Sequence, residues 1–166
     1  MNECEKTKNI IKRYQLVFGK APELYVKMAE YYPELLLSLN YLEEKLADSN
    51  FNSIEIQIIM LVYSIENKSE LCSGVHKEFS CLNDLDVKEV ERIIDGHILE
   101  NTKWDNLAKM VKHFYNTKGH LDKNIVNSFF KAGYDSQHLF YIIHFGALKV
   151  ITNFYANALS CVNKYH

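Results

Sequence analysis

The distribution of proline constrains this chain more than any other feature of its sequence. Only two prolines occur among 166 residues, Pro22 and Pro33, and both lie in the first quarter. Proline interrupts helices except in their first turn, so nothing after Pro33 forbids continuous helix. From there, apolar residues recur at the three- and four-residue spacing of an amphipathic helix. No strand pattern longer than a few residues is found, and the sequence therefore predicts an all-α protein.

Capping residues and glycines divide the chain into helices, because Ser, Thr, Asp and Asn favour helix starts and glycine favours helix ends. The helix after Ser53 is apolar almost all round between Ile58 and Val62, which predicts a position at the centre of the core. We expect one domain, residues 1–166, folded as a single orthogonal bundle of about eight or nine helices. The predicted helices start near Glu5, Pro22, Pro33, Ser53, Ser69, Asp86, Asn101, Asp122 and Asp135.

Charge and composition argue against several classes of function. The net charge is −2, and no cluster of Lys and Arg is present to neutralise nucleic-acid phosphates. The polar start of the chain lacks the apolar segment of a secretory signal. The apolar runs at Leu35–Leu37 and Ile58–Val62 are too short to cross a bilayer. We therefore expect a cytoplasmic protein with no nucleic-acid or membrane partner.

The four cysteines, at positions 4, 72, 81 and 161, form no CxxC pair. Reduced thiols are expected without an export signal, and the simplest interpretation of each is a small buried apolar side chain. Cys72 and His76 differ from the others, because residues four apart on a helix share one face. If the helix begins between Asn67 and Ser69, the N–H groups and dipole of its first turn favour the thiolate of Cys72.

The spacing also brings other groups near Cys72. The His76 imidazole adds a base one turn away, and Ser69 lies three residues before the sulfur, within reach of it. A zinc site is disfavoured, because two ligands do not close a tetrahedral site and no second pair with metal-ligand spacing occurs. Cys–His pairs with this spacing also arise by chance in many helices, so the spacing alone leaves a purely structural role open.

The sequence around this pair resembles the signature of the alkylhydroperoxidase D-like, carboxymuconolactone decarboxylase superfamily. That signature is a core helix with a glutamate near its start, followed by Asn-x-Cys-x-x-Cys-x-x-x-His. Asn67, Cys72 and His76 occupy matching positions. Across about residues 18–160, three further segments resemble the family in the same order: Lys20-Ala-Pro22-Glu-Leu, Phe129-Phe-Lys-Ala132-Gly133-Tyr-Asp-Ser-Gln-His-Leu and Lys149-Val-Ile-Thr-Asn153-Phe-Tyr-Ala-Asn157.

Two positions depart from that signature. The first motif cysteine is Ser69, which cannot form a disulfide with Cys72, so internal resolution of an oxidised cysteine is lost. The relay glutamate aligns with Gln57, which does not exchange protons as a carboxylate does, although Glu55 lies two positions earlier. Both departures weaken the redox cycle that the family motif implies.

The remaining cysteines are poor replacements for the missing motif cysteine. Cys81 lies nine residues beyond Cys72, which is about 13 Å of helix rise. Cys161 can take part only if the last helix returns to the site. An oxidised Cys72 is therefore expected to need an external thiol.

In the peroxidase branch of the superfamily, two cysteines cycle between dithiol and disulfide while a glutamate and the histidine relay protons. The resemblance therefore implies an antioxidant, thiol-dependent hydroperoxide reductase with one working cysteine and neither metal nor cofactor. Its partners are a small peroxide and an external thiol or thiol protein, which reduces the sulfenic acid. The implied site comprises Cys72 as the attacking thiolate, His76 as the base, Ser69 as a hydrogen-bond donor, Gln57 at the relay position, and Glu55 and Asn67 in supporting positions.

Two other interpretations stay open beside the enzyme that we favour. The changes at Ser69 and Gln57 fit a degenerate, non-redox member that acts as a small-molecule binding or assembly protein. Cofactor-free lactone decarboxylation does not use the cysteine pair, and the retained Cys72 and His76 argue against it. The family forms homo-oligomers, often trimers or hexamers, and 11 Tyr with 9 Phe in this chain fit a sizeable subunit interface.

Overall fold

The computed structural model describes residues 3–162, and the regular secondary structure in that range is entirely α-helical. Both the all-α class and the number of helices are as the sequence predicted. The chain divides into two compact units between Asp48 and Ser49, with three helices before the division and six after it. In the described range the helices are α1 (Glu3–Phe18), α2 (Glu23–Tyr31), α3 (Pro33–Ala47), α4 (Ser53–Glu66), α5 (Glu70–Leu82), α6 (Val87–Asp95), α7 (Thr102–Asn116), α8 (Lys123–Lys131) and α9 (Ser136–Val162).

Local capping explains where several of these helices begin and where α6 ends. The side chains of Asp86, Asn101 and Asp122 each accept a hydrogen bond from a first-turn N–H of the helix that follows. α6 ends at Gly96, whose φ of 73° lies in the left-handed region that glycine adopts without a Cβ penalty. These boundaries agree with the sequence prediction because each is set by residues within the same few positions.

The start of α4 differs from the prediction by one residue. Its N-cap is Asn52 and not Ser53, because Asn52 and Glu55 form a reciprocal capping box. The Asn52 side chain accepts a hydrogen bond from the Glu55 N–H at 2.9 Å, and the Glu55 carboxylate accepts one from the Asn52 N–H at 3.1 Å. Glu55 therefore belongs to the helix terminus.

In the first unit, α3 packs against both α1 and α2. The rings of Tyr14 and Tyr25 stack with centroids 4.3 Å apart. Both phenol hydroxyls donate to the carboxylate of Glu43, that of Tyr25 at 2.6 Å. Burial, followed by the negative charge of Glu43, raises the pKa of both phenols above the ordinary value. This cluster joins the three helices of the unit.

In the second unit, α4 is the central helix, in contact with α5, α6, α7 and α9. Ile58, Ile59 and Leu61 on it are fully buried, as the continuous apolar run predicted. Tyr63 of α4 donates its hydroxyl hydrogen bond to the Ile142 carbonyl of α9 at 2.9 Å. A Cβ atom on Gly146 would lie 2.8 Å from that hydroxyl oxygen, so glycine permits the close approach of α9 to α4.

Among the described helices, α9 is the one long and apolar enough, by length and composition, to cross a membrane, over Ser136–Cys161. The short apolar runs of the sequence did not predict this. A core helix of a soluble protein meets the same criterion, and 44% of the apolar window is buried inside the protein. Its buried residues include Lys149, Thr152 and Asn153, which are polar.

Candidate functional site

Cys72 is the third residue of α5, in the first turn as its sequence position predicted. Its thiol is reduced and partly exposed. The first turn of a helix has unpaired backbone N–H groups and the positive end of the helix dipole, and both stabilise an anion. A Cβ atom built on Gly74 meets no atom within 4 Å, so there is open space beside this turn. The partial exposure of the Cys72 thiol is what makes the sulfur accessible to a small reactant.

His76, one turn further along α5, connects three helices. Its Nδ1 lies 3.3 Å from Oε1 of Gln57 on α4, and its Nε2 lies 2.9 Å from Nζ of Lys149 on α9. The residue is partly exposed overall, but both ring nitrogens contact protein atoms. Burial, followed by the charge of Lys149, holds the pKa of His76 well below its ordinary range. The imidazole is therefore neutral at pH 7.

Lys149 is a site residue whose involvement was not predicted from the sequence. It is 2% exposed, and a buried ammonium is costly unless it is hydrogen-bonded or paired. It is also the only Asp, Glu, Lys or Arg in the 27 residues of α9. That isolation within an apolar helix is a signal from which a functional lysine could have been predicted.

Ser69 is fully buried immediately before α5. Its N–H donates to the Ser64 carbonyl at 3.0 Å, and its own carbonyl accepts from the Ser73 N–H at 2.8 Å. Its Oγ has no hydrogen-bond partner among the described residues, so the expected hydrogen bond to Cys72 is not formed. A buried hydroxyl without a partner costs about 1–3 kcal/mol. The backbone of Ser69 thus fixes the turn, while its hydroxyl is left unused.

Asn67, the C-cap of α4, belongs to a set of amides that ties this turn to α9. Its Nδ2 donates to the Tyr63 carbonyl at 2.9 Å, and Nδ2 of Asn153 approaches the same carbonyl at 3.4 Å. Nδ2 of Asn157 lies 3.4 Å from the Asn67 carbonyl. The amides thereby position the start of α5, and with it Cys72, against α9.

Glu55, expected in a supporting position, is engaged away from His76. Its carboxylate lies 2.9 Å from Nζ of Lys103 and accepts a hydrogen bond from the Tyr134 hydroxyl at 2.9 Å. Burial opposes its ionisation, but the hydrogen bonds from Lys103, Asn52 and Tyr134 outweigh burial and lower its pKa. Residues two apart on a helix point in different directions, which explains why Gln57 reaches His76 and Glu55 does not.

The other cysteines differ from the expectation of buried thiols, because Cys4, Cys81 and Cys161 are all exposed. α9 does return to the site, but through Lys149. Cys161 lies twelve residues beyond Lys149, about 18 Å of helix rise, which separates it from the contact with His76. In residues 3–162, no group of three or more His, Cys, Asp and Glu side chains is arranged to hold a metal ion.

Comparison with known proteins identifies the fold. No protein-family profile matches the sequence, and no curated protein matches it significantly. An uncharacterised peroxidase-related protein from Ralstonia eutropha JMP134, described as an alkylhydroperoxidase AhpD core, has a similar structure, with a TM-score of 0.83, 13% identity, and coverage of 93% of this chain and 83% of that one. An uncharacterised peroxidase-related protein from Silicibacter sp. TM1040 has a TM-score of 0.78 and 16% identity, with 93% and 82% covered. The chain therefore has the all-α fold of the alkylhydroperoxidase D core.

Proposed function

We propose that this protein is a thiol-dependent peroxide reductase with Cys72 as its single reactive cysteine. The observation that carries the proposal is the position of Cys72, a partly exposed thiol in the first turn of α5. His76 and Lys149 form a contact one helical turn away. Two proteins that share the fold are named peroxidase-related, which supports the same class of chemistry.

In the proposed reaction, the Cys72 thiolate attacks one oxygen of a hydroperoxide. A sulfur–oxygen bond forms and the oxygen–oxygen bond breaks, so the sulfur is oxidised to a sulfenic acid. The other peroxide oxygen takes up one proton and leaves as an alcohol, or as water when the substrate is hydrogen peroxide. One external thiol then displaces water to form a mixed disulfide, and a second thiol releases Cys72 and a disulfide product.

An external reductant is required because the site offers no second thiol. Ser69 stands at the position of the first motif cysteine. Cys81 is on the same helix as Cys72, about 13 Å of rise away. A disulfide needs Cα atoms within about 7 Å, so these two cannot pair without unfolding part of α5.

The test compares hydroperoxide consumption in the presence of a small thiol by the wild-type protein, Cys72→Ser and Cys81→Ser. Cys81 is an exposed cysteine on the same helix, which makes it a matched control. We expect Cys72→Ser to lose the thiol-dependent rate and Cys81→Ser to keep it. After peroxide treatment, the intact mass should rise by one oxygen, and mass spectrometry of a digest should place that oxygen in the peptide containing Cys72. Equal rates for wild type and Cys72→Ser would refute the proposal.

A non-redox binding or assembly protein is the second candidate. The observation that favours it is the direction of the neighbouring polar groups: both ring nitrogens of His76 contact Gln57 and Lys149, and the Ser69 hydroxyl does not contact the sulfur. Alkylation of Cys72 by iodoacetamide separates the two candidates. A rate at neutral pH no faster than that of a free cysteine peptide supports the non-redox protein.

A further inference from the structure

Lys149 is the one charged residue of α9, and its contact with His76 has a consequence for the proposed reaction. We propose that Lys149 supplies the positive charge of this site and fixes the tautomer of His76, which makes His76 a neutral bridge and not a base. Lys149 is then a positioning residue, and the use of its charge to stabilise the Cys72 thiolate rests on the proposed function.

With Lys149 in its ammonium form, the donor and acceptor properties of the three side chains allow one consistent arrangement. An ammonium group has only donors, so His76 Nε2, at 2.9 Å from Lys149 Nζ, must be the acceptor. A neutral imidazole carries one ring proton, which must therefore be on Nδ1. Nδ1 then donates to Gln57 Oε1 at 3.3 Å. The orientation of the Gln57 amide follows, with its oxygen toward the ring.

This arrangement disfavours His76 as the base that takes the proton of Cys72. A proton on Nε2 would break the hydrogen bond from Lys149 and bring two positive groups to 2.9 Å from each other. Like charges at that distance strongly oppose one another where water is excluded. Burial and the charge of Lys149 also lower the pKa of His76. The thiol proton is therefore not retained on the imidazole.

The residue at position 57 determines the charge of the set. A glutamate there would place a carboxylate, an imidazole and an ammonium in a row, and the two charges would offset each other. Gln57 keeps the acceptor oxygen without the negative charge, so Gln57, His76 and Lys149 together carry one positive charge. Cys72 lies one turn from His76, with Cβ atoms about 6 Å apart. A thiolate at Cys72 is the anion that this net positive charge can stabilise.

The tautomer is measurable without any peroxidase assay. NMR ring-nitrogen chemical shifts of isotope-labelled protein distinguish a protonated nitrogen from an unprotonated one, and His76→Gln assigns the signals by their loss. In the wild-type protein at neutral pH, we expect His76 with a proton on Nδ1 and none on Nε2. A proton on Nε2, or on both nitrogens, overturns the proposal, whether or not the protein reduces peroxides.

Three lysine variants then separate positioning from charge. Lys149→Gln retains a neutral N–H donor, so we expect it to keep the tautomer and to slow iodoacetamide alkylation of Cys72 about tenfold. Lys149→Met should lose the tautomer as well. Lys77→Met removes an exposed lysine of α5 beside His76 in the sequence and should change neither readout. A wild-type tautomer and a wild-type alkylation rate in Lys149→Met overturn the proposal. If all variants give the expected tautomers and alkylation rates but the wild-type protein shows no peroxidase activity, only the proposed function is refuted.

Discussion

Gly146 allows α9 to approach α4 closely, and replacing it with alanine tests whether that approach holds the site together. A Cβ atom at this position would lie 2.8 Å from Oη and 2.9 Å from Cζ of Tyr63. Real Cβ atoms do not come that close to other heavy atoms, so Tyr63 or α9 must move. Tyr63 is almost completely buried and its hydroxyl is hydrogen-bonded to the Ile142 carbonyl, so it has little freedom to give way.

The magnitude follows from three contributions. Alanine in place of glycine inside a helix stabilises by about 1 kcal/mol. Overpacking of a buried position costs about 1–3 kcal/mol. Displacing the Tyr63 hydroxyl from its acceptor leaves a buried donor unsatisfied, at about 1–3 kcal/mol. We therefore expect Gly146→Ala to lower the free energy of unfolding by about 1–5 kcal/mol, the sum of these terms.

Gly74→Ala is the matched control. Gly74 also lies inside a helix of the second unit, but a Cβ atom there meets nothing within 4 Å. Only the helix-propensity contribution applies, so we expect this variant to be more stable than wild type by about 0.5–1 kcal/mol. The opposite signs of the two substitutions distinguish a steric effect at Gly146 from a general effect of alanine.

The assay is urea unfolding followed by far-ultraviolet circular dichroism and by tyrosine fluorescence, with coincident transitions required before free energies are extracted. Lys149 lies three residues after Gly146 on the same helix, so a displaced α9 should also slow alkylation of Cys72. If both alanine variants are more stable than wild type, the close contact between α4 and α9 does not require glycine at position 146.

Four further outcomes follow from the geometry. The pKa of His76 is lowered in the folded protein, so the unfolded chain binds the proton first and stability falls as the pH drops below about 6.5. Below that pH, wild type should lose unfolding free energy relative to His76→Gln by at most about 1.4 kcal/mol per pH unit. The same pH dependence in both proteins would contradict the burial argument. Glu55→Gln should lose about 1–3 kcal/mol of stability while keeping the thiol-dependent rate, because Glu55 caps α4 and pairs with Lys103 away from the site. A selective loss of the rate would show that Glu55 supports the reaction after all. Ser69→Cys should form a peroxide-dependent disulfide with Cys72, detected as the loss of two hydrogens by mass spectrometry, and failure to do so would mean that the buried turn prevents the geometry. Exposed apolar side chains of α9 include Phe140, Ile151 and Phe154, and we propose that this apolar face joins subunits. Phe154→Glu should reduce the mass measured by light scattering, and an unchanged mass would place the interface elsewhere.

The helices are largely a property of the local sequence. Asp86 and Asn101 cap the helices that follow them through hydrogen bonds spanning two or three residues. Capping hydrogen bonds of this kind can be predicted from sequence because the interacting residues are neighbours in the chain. The central position of α4 was likewise predictable, since a helix that is apolar all round must be buried. The position of Cys72 in a first turn follows in the same way from the start of α5.

The chemistry of the site depends on contacts that local sequence does not contain. His76 and Lys149 are 73 residues apart, and their pairing follows from how α9 crosses α4 and α5. That crossing depends on the small volume of Gly146 beside Tyr63, which only the packed structure reveals. The sequence determined which helices form and that Cys72 and His76 share a face. The tertiary structure decided what His76 contacts, because side chains from three separate helices meet only after the helices have packed.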